Sequence, residues 1–284
     1  MGYLKLLRDS AKERQSIVCF GLDPIIESMP DSLMQPREER IVYYFTQIID
    51  AALAEKQSLA ALKPNYAYFA QYGFDGLRAL QRLIQQYKGK LPIILDAKRG
   101  DIGRSSEAYA REVFDFWNAD AVTVSPYMGY DSVAPFLERC GNAGKGAYIL
   151  CRTSNSGSED LQMKLTEDSK PLYLHVAKKL EKWYVPGMGA VVGAKEPEEL
   201  ELVMWDFYDS HKEIPLLVPG VGAQGTSASM VARTLRTVWL DAFPIHRINS
   251  SSAIAYAYRK KGTADFVGAA LAEIQKLNRE IGDV

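Results

Sequence analysis

Four charged residues within six positions follow a short apolar run near the middle of the chain. The run 93–95 predicts a buried strand, and Asp96, Lys98 and Asp101 come soon after it. Since Asp96 and Lys98 are two positions apart, they should point to the same side of a strand or of its extended exit. Charged groups at that depth need partners or a place at the strand's open end. The spacing therefore predicts a carboxylate–ammonium–carboxylate array at a strand mouth, with a capping salt-bridge cluster as the alternative.

Elements that can position such an array alternate along the chain. Short apolar runs predict strands, and segments with apolar residues at helical spacing follow them. Strands are predicted at 16–24, 59–64, 93–95, 121–125, 146–151, 189–193, 215–219 and 245–249. Helices are predicted at 3–15, 37–56, 105–118, 132–140, 171–184, 196–208 and 263–281, with another that ends at Tyr87 and an irregular helical segment at 226–242.

This alternation predicts the fold class. Strands separated by helices and short connections favour a parallel sheet. Eight such units predict an α/β protein whose sheet closes into a (β/α)8 TIM barrel. We expect a single domain over 1–284 with a short N-terminal helix, and a doubly wound open sheet is the alternative.

Composition narrows the function classes. The 284 residues carry a net charge of −1, which favours neither nucleic acid nor an anionic membrane as partner. No apolar run approaches membrane-spanning length. Cys19, Cys140 and Cys151 are far apart and odd in number, and the three histidines lack metal-ligand spacing. We therefore expect a cytoplasmic protein with no structural metal or disulfide framework.

The functional face of such a barrel lies at the carboxyl ends of its strands. The candidate residues at or just beyond those ends are Asp23, Lys63, Asp96, Lys98, Asp101, Ser125, Ser154, Gly222, Gln224 and Ser250–Ser252. A metal site would contain more carboxylates and fewer lysines, and a serine-hydrolase triad would need a histidine base. Alternating lysine and aspartate instead suits a reaction in which an ammonium stabilises a carbanion and then delivers a proton.

A glycine-rich loop follows the seventh predicted strand. The segment 220–225 formally matches the dinucleotide fingerprint G-x-G-x-x-G, but it comes late in the chain rather than in the first strand–helix unit. Phosphate groups in barrels are commonly held by the loops after strands seven and eight. We therefore interpret this loop and the serine-rich turn 250–252 as a phosphate site.

Taken together, these motifs resemble the orotidine 5′-phosphate decarboxylases, specifically their longer bacterial branch, over nearly the whole chain. The resemblance rests on Phe20-Gly21-Leu22-Asp23-Pro24, Leu62-Lys63-Pro64-Asn65, Asp96-Ala97-Lys98-Arg99-Gly100-Asp101-Ile102-Gly103, Arg152-Thr153-Ser154-Asn155, Val192-Gly193-Ala194, Pro219-Gly220-Val221-Gly222-Ala223-Gln224-Gly225 and Asn249-Ser250-Ser251. A single D-x-K-x-x-D element is only moderately specific, whereas this ordered set is highly specific.

The resemblance implies a reaction and a set of roles. It implies conversion of orotidine 5′-phosphate to uridine 5′-phosphate in pyrimidine synthesis, without cofactor or metal. Lys63, Asp96, Lys98 and Asp101 would form the family's charged tetrad, with Lys98 stabilising and protonating the C6 carbanion. Asp101 and Ser105 would enter the site of the partner in a homodimer. Substrate contacts are implied for Asp23, Ser105, Ser154, Gly222, Gln224, Ser251 and Ser252.

One position departs from the family pattern. The last strand of the family normally continues Asn-Ser-Ser-Arg, and residue 252 is serine here. Losing a bidentate phosphate contact would cost on the order of 2–4 kcal/mol, or roughly 30- to 1000-fold. Arg247, Arg259 and Lys260 are the candidate replacements. A nucleotide-binding protein without efficient turnover and a related magnesium-dependent sugar-phosphate lyase therefore remain as alternatives.

Overall fold

A computed structural model of the protein describes residues 2–193, 195–221 and 227–282. Eight strands appear at the predicted places: β1 (Val18–Leu22), β2 (Ala61–Pro64), β3 (Ile94–Arg99), β4 (Ala121–Val124), β5 (Gly146–Arg152), β6 (Met188–Val192), β7 (Leu216–Val218) and β8 (Arg247–Ser250). The helices are α1 (Tyr3–Arg14), α2 (Arg37–Ala54), α3 (Tyr66–Ala70), α4 (Gly73–Tyr87), α5 (Gly103–Arg111), α6 (Tyr130–Ala143), α7 (Leu172–Trp183), α8 (Pro197–Asp209), α9 (Ala228–Trp239), α10 (Ser252–Ala255), α11 (Ala257–Lys261) and α12 (Phe266–Gly282).

The strands form one parallel sheet that curls into a barrel. Its order is β2-β1-β8-β7-β6-β5-β4-β3, and every named pairing is parallel. Single bridges from Leu62 to Ile93 and from Asn65 to Asp96 join the two edge strands. The predicted (β/α)8 TIM barrel is therefore confirmed, and the doubly wound open sheet is excluded.

Most strand residues are buried on both faces, which explains why the strands read as continuous apolar runs rather than as alternating patterns. Apolar residues of the surrounding helices cover the outside of the sheet and form the main core with it. None of the helices in the described part of the chain combines the length and apolar character needed to cross a bilayer.

The segment 226–242 is helical from Ala228 to Trp239, and a 3-10 turn continues it from Leu240 to Ile245. The predicted irregular helix is confirmed for this part. Because the turn extends through Pro244 to Ile245, the last strand begins at Arg247 rather than at 245.

Helix α1 closes the amino-terminal end of the barrel. Tyr3 and Leu7 of this helix are buried inside, and Tyr3 Oη donates to Tyr148 Oη at 3.1 Å. Arg247 lies at the same end, fully buried. Its guanidinium donates to four carbonyl oxygens, those of Leu7 (2.7 Å), His246 (2.7 Å), Pro244 (3.0 Å) and Ala60 (3.3 Å). Of the three candidate replacements for the missing phosphate arginine, Arg247 is ruled out, since it is the first residue of β8 and is held at the opposite end of the barrel.

Candidate active site

Asp96 lies in β3, at the centre of the charged cluster. Its Oδ2 accepts a hydrogen bond from Lys63 Nζ at 2.8 Å, and its Oδ1 accepts from Lys98 Nζ at 2.7 Å and from Thr123 Oγ1 at 2.9 Å. Burial alone would raise the pKa of Asp96, but the ammonium groups of Lys63 and Lys98 outweigh it and hold that pKa well below its usual range. The carboxylate is therefore ionised, and three donors fix its orientation.

The two lysines differ in exposure. Lys63, on β2, has only 5% of its side chain exposed, whereas the side chain of Lys98 is 52% exposed. Burial lowers the pKa of the Lys63 ammonium, but nearby Asp96 and Asp23 more than offset this, so that the pKa is raised overall. Lys63 thus remains charged in the barrel wall, and Lys98 is the more exposed of the two cations.

These groups face a cavity of about 480 Å³ at the carboxyl ends of the strands. This volume is in the range of small-molecule sites. Its lining combines the charged Lys63, Asp96 and Lys98 with polar Thr123, Thr153, Ser154, Asn155 and Gln162 and apolar Leu150, Val191, Leu217 and Pro219. An ion cluster that only capped a strand would not need such a cavity, so the geometry favours a binding site.

Ser154 reaches this cavity because the loop after β5 is held at several points. Arg152 forms a bidentate ion pair with Glu199 of α8, at 2.7 and 3.1 Å. Gln162 accepts from the backbone N–H of Thr153 and donates to its hydroxyl, both at 2.8 Å. A Cβ at Gly193 would come within 2.9 Å of the Ser154 Cβ, so glycine permits this close approach.

The ends of β1 and β8 bring Asp23 and Ser251 together. A side chain at Gly21 would meet Ser251 Oγ at 1.8 Å, so the two strands can approach only because residue 21 is glycine. Burial raises the pKa of Asp23, although Lys63 and a hydrogen bond from Ser251 act against it. Asp23 Oδ1 is buried without a hydrogen-bond partner among the described residues. It is therefore a buried acceptor without a partner in the described part of the chain, although Asp23 is not among the residues that line the cavity.

Other predicted residues do not join this site. Among the described residues, the lining of the cavity includes neither Asp101 nor Ser105, and Asp101 Oδ1 accepts from the backbone N–H of Ile102 at 2.8 Å. Ser252 is the first residue of α10. Gly222 and Gln224 lie outside the described residues, so their predicted contacts stay predictions.

The remaining cations proposed to replace the arginine lie on α11. Arg259 Nη1 donates to Ser28 Oγ at 2.8 Å, in the connection between β1 and α2, and Lys260 is exposed. Over the described ranges, no three His, Cys, Asp or Glu side chains are arranged so that they could bind a metal ion.

Several residues that shape the site were not predicted from the sequence. Thr123 lies inside β4, where a threonine between two valines is typical of any buried strand. Arg152 and Glu199 are 47 positions apart, and no local pattern signals their pairing. One signal in the sequence could have identified Thr123. It is a polar residue one position before the carboxyl end of β4, the strand that pairs with β3.

A barrel of eight parallel strands, with lysine and aspartate side chains around a cavity at their carboxyl ends, defines the class: a (β/α)8 barrel with an ammonium–carboxylate site. Residues 16–261 match the family model described as Orotidine 5′-phosphate decarboxylase / HUMPS family. The chain belongs to this family.

Curated relatives and solved structures agree with this assignment. An orotidine 5′-phosphate decarboxylase of Delftia acidovorans is 40% identical over 289 aligned positions, covering 100% of this chain and 98% of that protein. One from Roseiflexus sp. (strain RS-1) is 43% identical over 252 positions, covering 88% and 87%. The structure of Leishmania donovani OMP decarboxylase is 32% identical with a TM-score of 0.75, each chain covered to 99%. Leishmania donovani UMP synthase is 34% identical with a TM-score of 0.79, and this chain spans 57% of its length.

Proposed function

We propose that this chain decarboxylates orotidine 5′-phosphate to uridine 5′-phosphate in pyrimidine synthesis, without a cofactor. The observation that carries the proposal is the ionised Asp96 between two lysines that both line the cavity, of which Lys98 is the more exposed. The named function of relatives that are 40% identical over the full chain supports it.

In the proposed reaction, the bond between C6 of the pyrimidine and its carboxylate breaks. The electron pair stays on C6, and carbon dioxide leaves. The Lys98 ammonium stabilises the developing negative charge and then donates a proton to C6, and solvent returns a proton to the amine. The exposed side chain of Lys98 and its charged state beside Asp96 suit both tasks.

Asp96 has two tasks in this mechanism. It keeps Lys98 oriented, and it lies against the departing carboxylate, where two like charges disfavour the bound substrate relative to the transition state. The buried position of Asp96 and its three hydrogen-bond donors support the second task, because they prevent the carboxylate from turning away.

The rest of the substrate is assigned by the chemistry of each group. Ribose hydroxyls would be held by the free Asp23 Oδ1 and by Lys63, whose Nζ has hydrogens beyond the one given to Asp96. Ser154 would contact the pyrimidine edge. We assign the phosphate to Gly222, Gln224, Ser251 and Ser252, and loop closure on it would contribute binding energy to the transition state.

We also propose a homodimer with shared sites. In it, Asp101 and Ser105 of each subunit would complete the cavity of the other. The proposal is supported by exposed apolar side chains after β3 and β4, in the two loops and at the start of α6: Ile102, Tyr127, Met128 and Tyr130 are 44–81% exposed. Exposed aromatic and aliphatic side chains of this kind are enriched at protein–protein interfaces. A location in the cytoplasm stays a prediction.

The test is the loss of orotidine 5′-phosphate absorbance, measured with a metal chelator present. Turnover should persist with the chelator and should fall by at least roughly 10³-fold in Lys98→Ala, which removes the proton donor. Lys90→Ala is the matched control, since Lys90 is an exposed lysine at the other end of β3 and its loss should change kcat less than about twofold. Turnover abolished by the chelator would favour the magnesium-dependent sugar-phosphate lyase.

Ser252 supports a second candidate, a nucleotide-binding protein without efficient turnover. This candidate predicts that uridine 5′-phosphate binds to the wild-type chain while orotidine 5′-phosphate is not consumed. Calorimetric titration with uridine 5′-phosphate, beside the absorbance assay, separates the two functions.

A further inference from the structure

Strand β3 leaves regular pairing where it carries the charged residues. Leu95 pairs with Val122 and Arg99 pairs with Val124, so residues 96–98 lie opposite Thr123 alone. Lys98 has a φ of 44°, and within the strands of the described chain it is the only non-glycine residue with a positive φ. A lysine in this left-handed region is strained and needs support from its surroundings.

Thr123 supplies that support. Its Oγ1 accepts a hydrogen bond from the backbone N–H of Lys98 at 2.9 Å and donates one to Asp96 Oδ1, also at 2.9 Å. The irregular pairing interrupts the backbone hydrogen bonds between β3 and β4 at Lys98, and the threonine hydroxyl accepts the Lys98 N–H instead. Thr123 is only 1% exposed, so the hydroxyl makes both bonds where solvent scarcely competes for them.

We propose that Thr123 is a positioning residue for proton delivery, fixing the Asp96 carboxylate and the Lys98 backbone relative to each other. The inference rests on the proposed decarboxylation. Packing does not require the hydroxyl, since valine has nearly the same shape and β4 already carries Val122 and Val124. Threonine therefore differs from valine at this position only in its hydrogen bonds to Asp96 and Lys98.

Removal of the hydroxyl should affect chemistry more than binding. Without it, the Lys98 N–H has no partner, and the strained backbone can relax toward an extended conformation that moves the ammonium. A displacement of about 1 Å at a reacting group lowers a rate about 100-fold. Asp96 keeps both lysines, so the charges that attract the nucleotide remain.

The experiment compares kcat, KM and the uridine 5′-phosphate Kd in the full-length chain. For Thr123→Val we expect kcat to fall roughly 30- to 100-fold, with KM and Kd within about threefold of wild type. Thr123→Ser keeps the hydroxyl and should remain within about threefold in kcat. Thr46→Val removes a threonine hydroxyl on α2, outside the cavity, and should leave all three quantities unchanged.

Each other outcome overturns the inference. Equal kcat in Thr123→Val and wild type would show that the hydroxyl is dispensable, and equal losses in the valine and serine variants would point to packing. If Thr123→Val does not fold, Thr123→Ala replaces it; failure of both hydroxyl-free variants to fold would assign Thr123 a structural role. Absence of wild-type turnover would instead refute the proposed function.

Discussion

Each end of the barrel buries a cation, but the two are neutralised differently. At the amino-terminal end, four backbone carbonyls hold Arg247, and among the described residues no carboxylate forms an ion pair with it. At the carboxyl end, Lys63 is paired with the Asp96 carboxylate, which also binds Lys98 beside an open cavity. Carbonyl dipoles can stabilise a fixed charge, whereas an ionised carboxylate beside an open cavity can keep an ammonium charged and oriented as a proton donor. Burial of a charge therefore does not by itself mark a functional site; the type of partner and an accessible cavity do.

The largest expected effect comes from removing the charge on Asp96. In Asp96→Asn, Lys63 loses its buried counter-ion and Lys98 its orienting partner, so kcat should fall by roughly 10³-fold or more. Asp115→Asn is the matched control, because Asp115 forms an exposed pair with Arg139. Steady-state decarboxylation assays of both variants give the comparison. A loss below about tenfold in Asp96→Asn would mean that the ion cluster only caps the strand.

The second effect concerns the phosphate contact expected just beyond the carboxyl end of β8, where residue 252 is serine instead of the family's arginine. Arg247 cannot supply this contact, because it begins the strand and is bound at the amino-terminal end. Introducing that contact with Ser252→Arg should raise kcat/KM by roughly 30-fold or more, through charge-assisted hydrogen bonds to the phosphate. Ser252→Met, of similar length but uncharged, controls for bulk. Unchanged kcat/KM in Ser252→Arg would show that other groups already hold the phosphate.

A substitution at the amino-terminal end of the barrel should lower the free energy of unfolding and leave kcat nearly unchanged. Arg247→Met removes the four hydrogen bonds from the guanidinium to backbone carbonyls, which should reduce the free energy of unfolding by about 2–3 kcal/mol. Well below the unfolding transition, its kcat should stay near that of wild type. Arg8→Met is the control, since the pair of Arg8 with Glu213 is partly exposed and contributes about 1 kcal/mol at most. Urea titrations followed by circular dichroism measure the difference; a large loss of kcat in folded Arg247→Met would contradict the division between the two ends.

The same contrast shows what the sequence can predict. The strand–helix alternation was sufficient for the barrel, and the charged residues around Lys63 and Asp96 were sufficient for the centre of the site. Arg247 was a candidate for the phosphate contact because the sequence shows its charge but not its partners; its guanidinium binds carbonyl oxygens of residues far away in the chain, such as Leu7 and Ala60, at the amino-terminal end. Thr123 was missed because the β3 irregularity that exposes its role depends on pairing between strands, which local periodicity does not encode.

The smallest expected effect is on the pH dependence of the free energy of unfolding, to which the two ends of the barrel contribute in different pH ranges. Burial, with help from Arg247 and Arg8, lowers the pKa of His246 to about 3, and its Nδ1 accepts from the backbone N–H of Leu216 at 3.0 Å. The unfolded chain binds a proton there near pH 6.5, whereas the folded chain does not. Stability should therefore fall as the pH drops below about 6.5, by up to about 1.4 kcal/mol per pH unit from this residue.

Asp96 acts in the same sense, because its folded pKa is also depressed, but in a lower pH window: its contribution is present above about pH 4 and is lost only below that value. Of these two residues, only His246 should contribute between pH 6.5 and 4.5. In His246→Asn, whose side-chain oxygen can still accept from Leu216, the free energy of unfolding should depend less on pH than in wild type. Urea titrations at pH 7.0, 6.0 and 5.0 test this, and parallel curves for the two proteins would mean that His246 does not couple folding to protons.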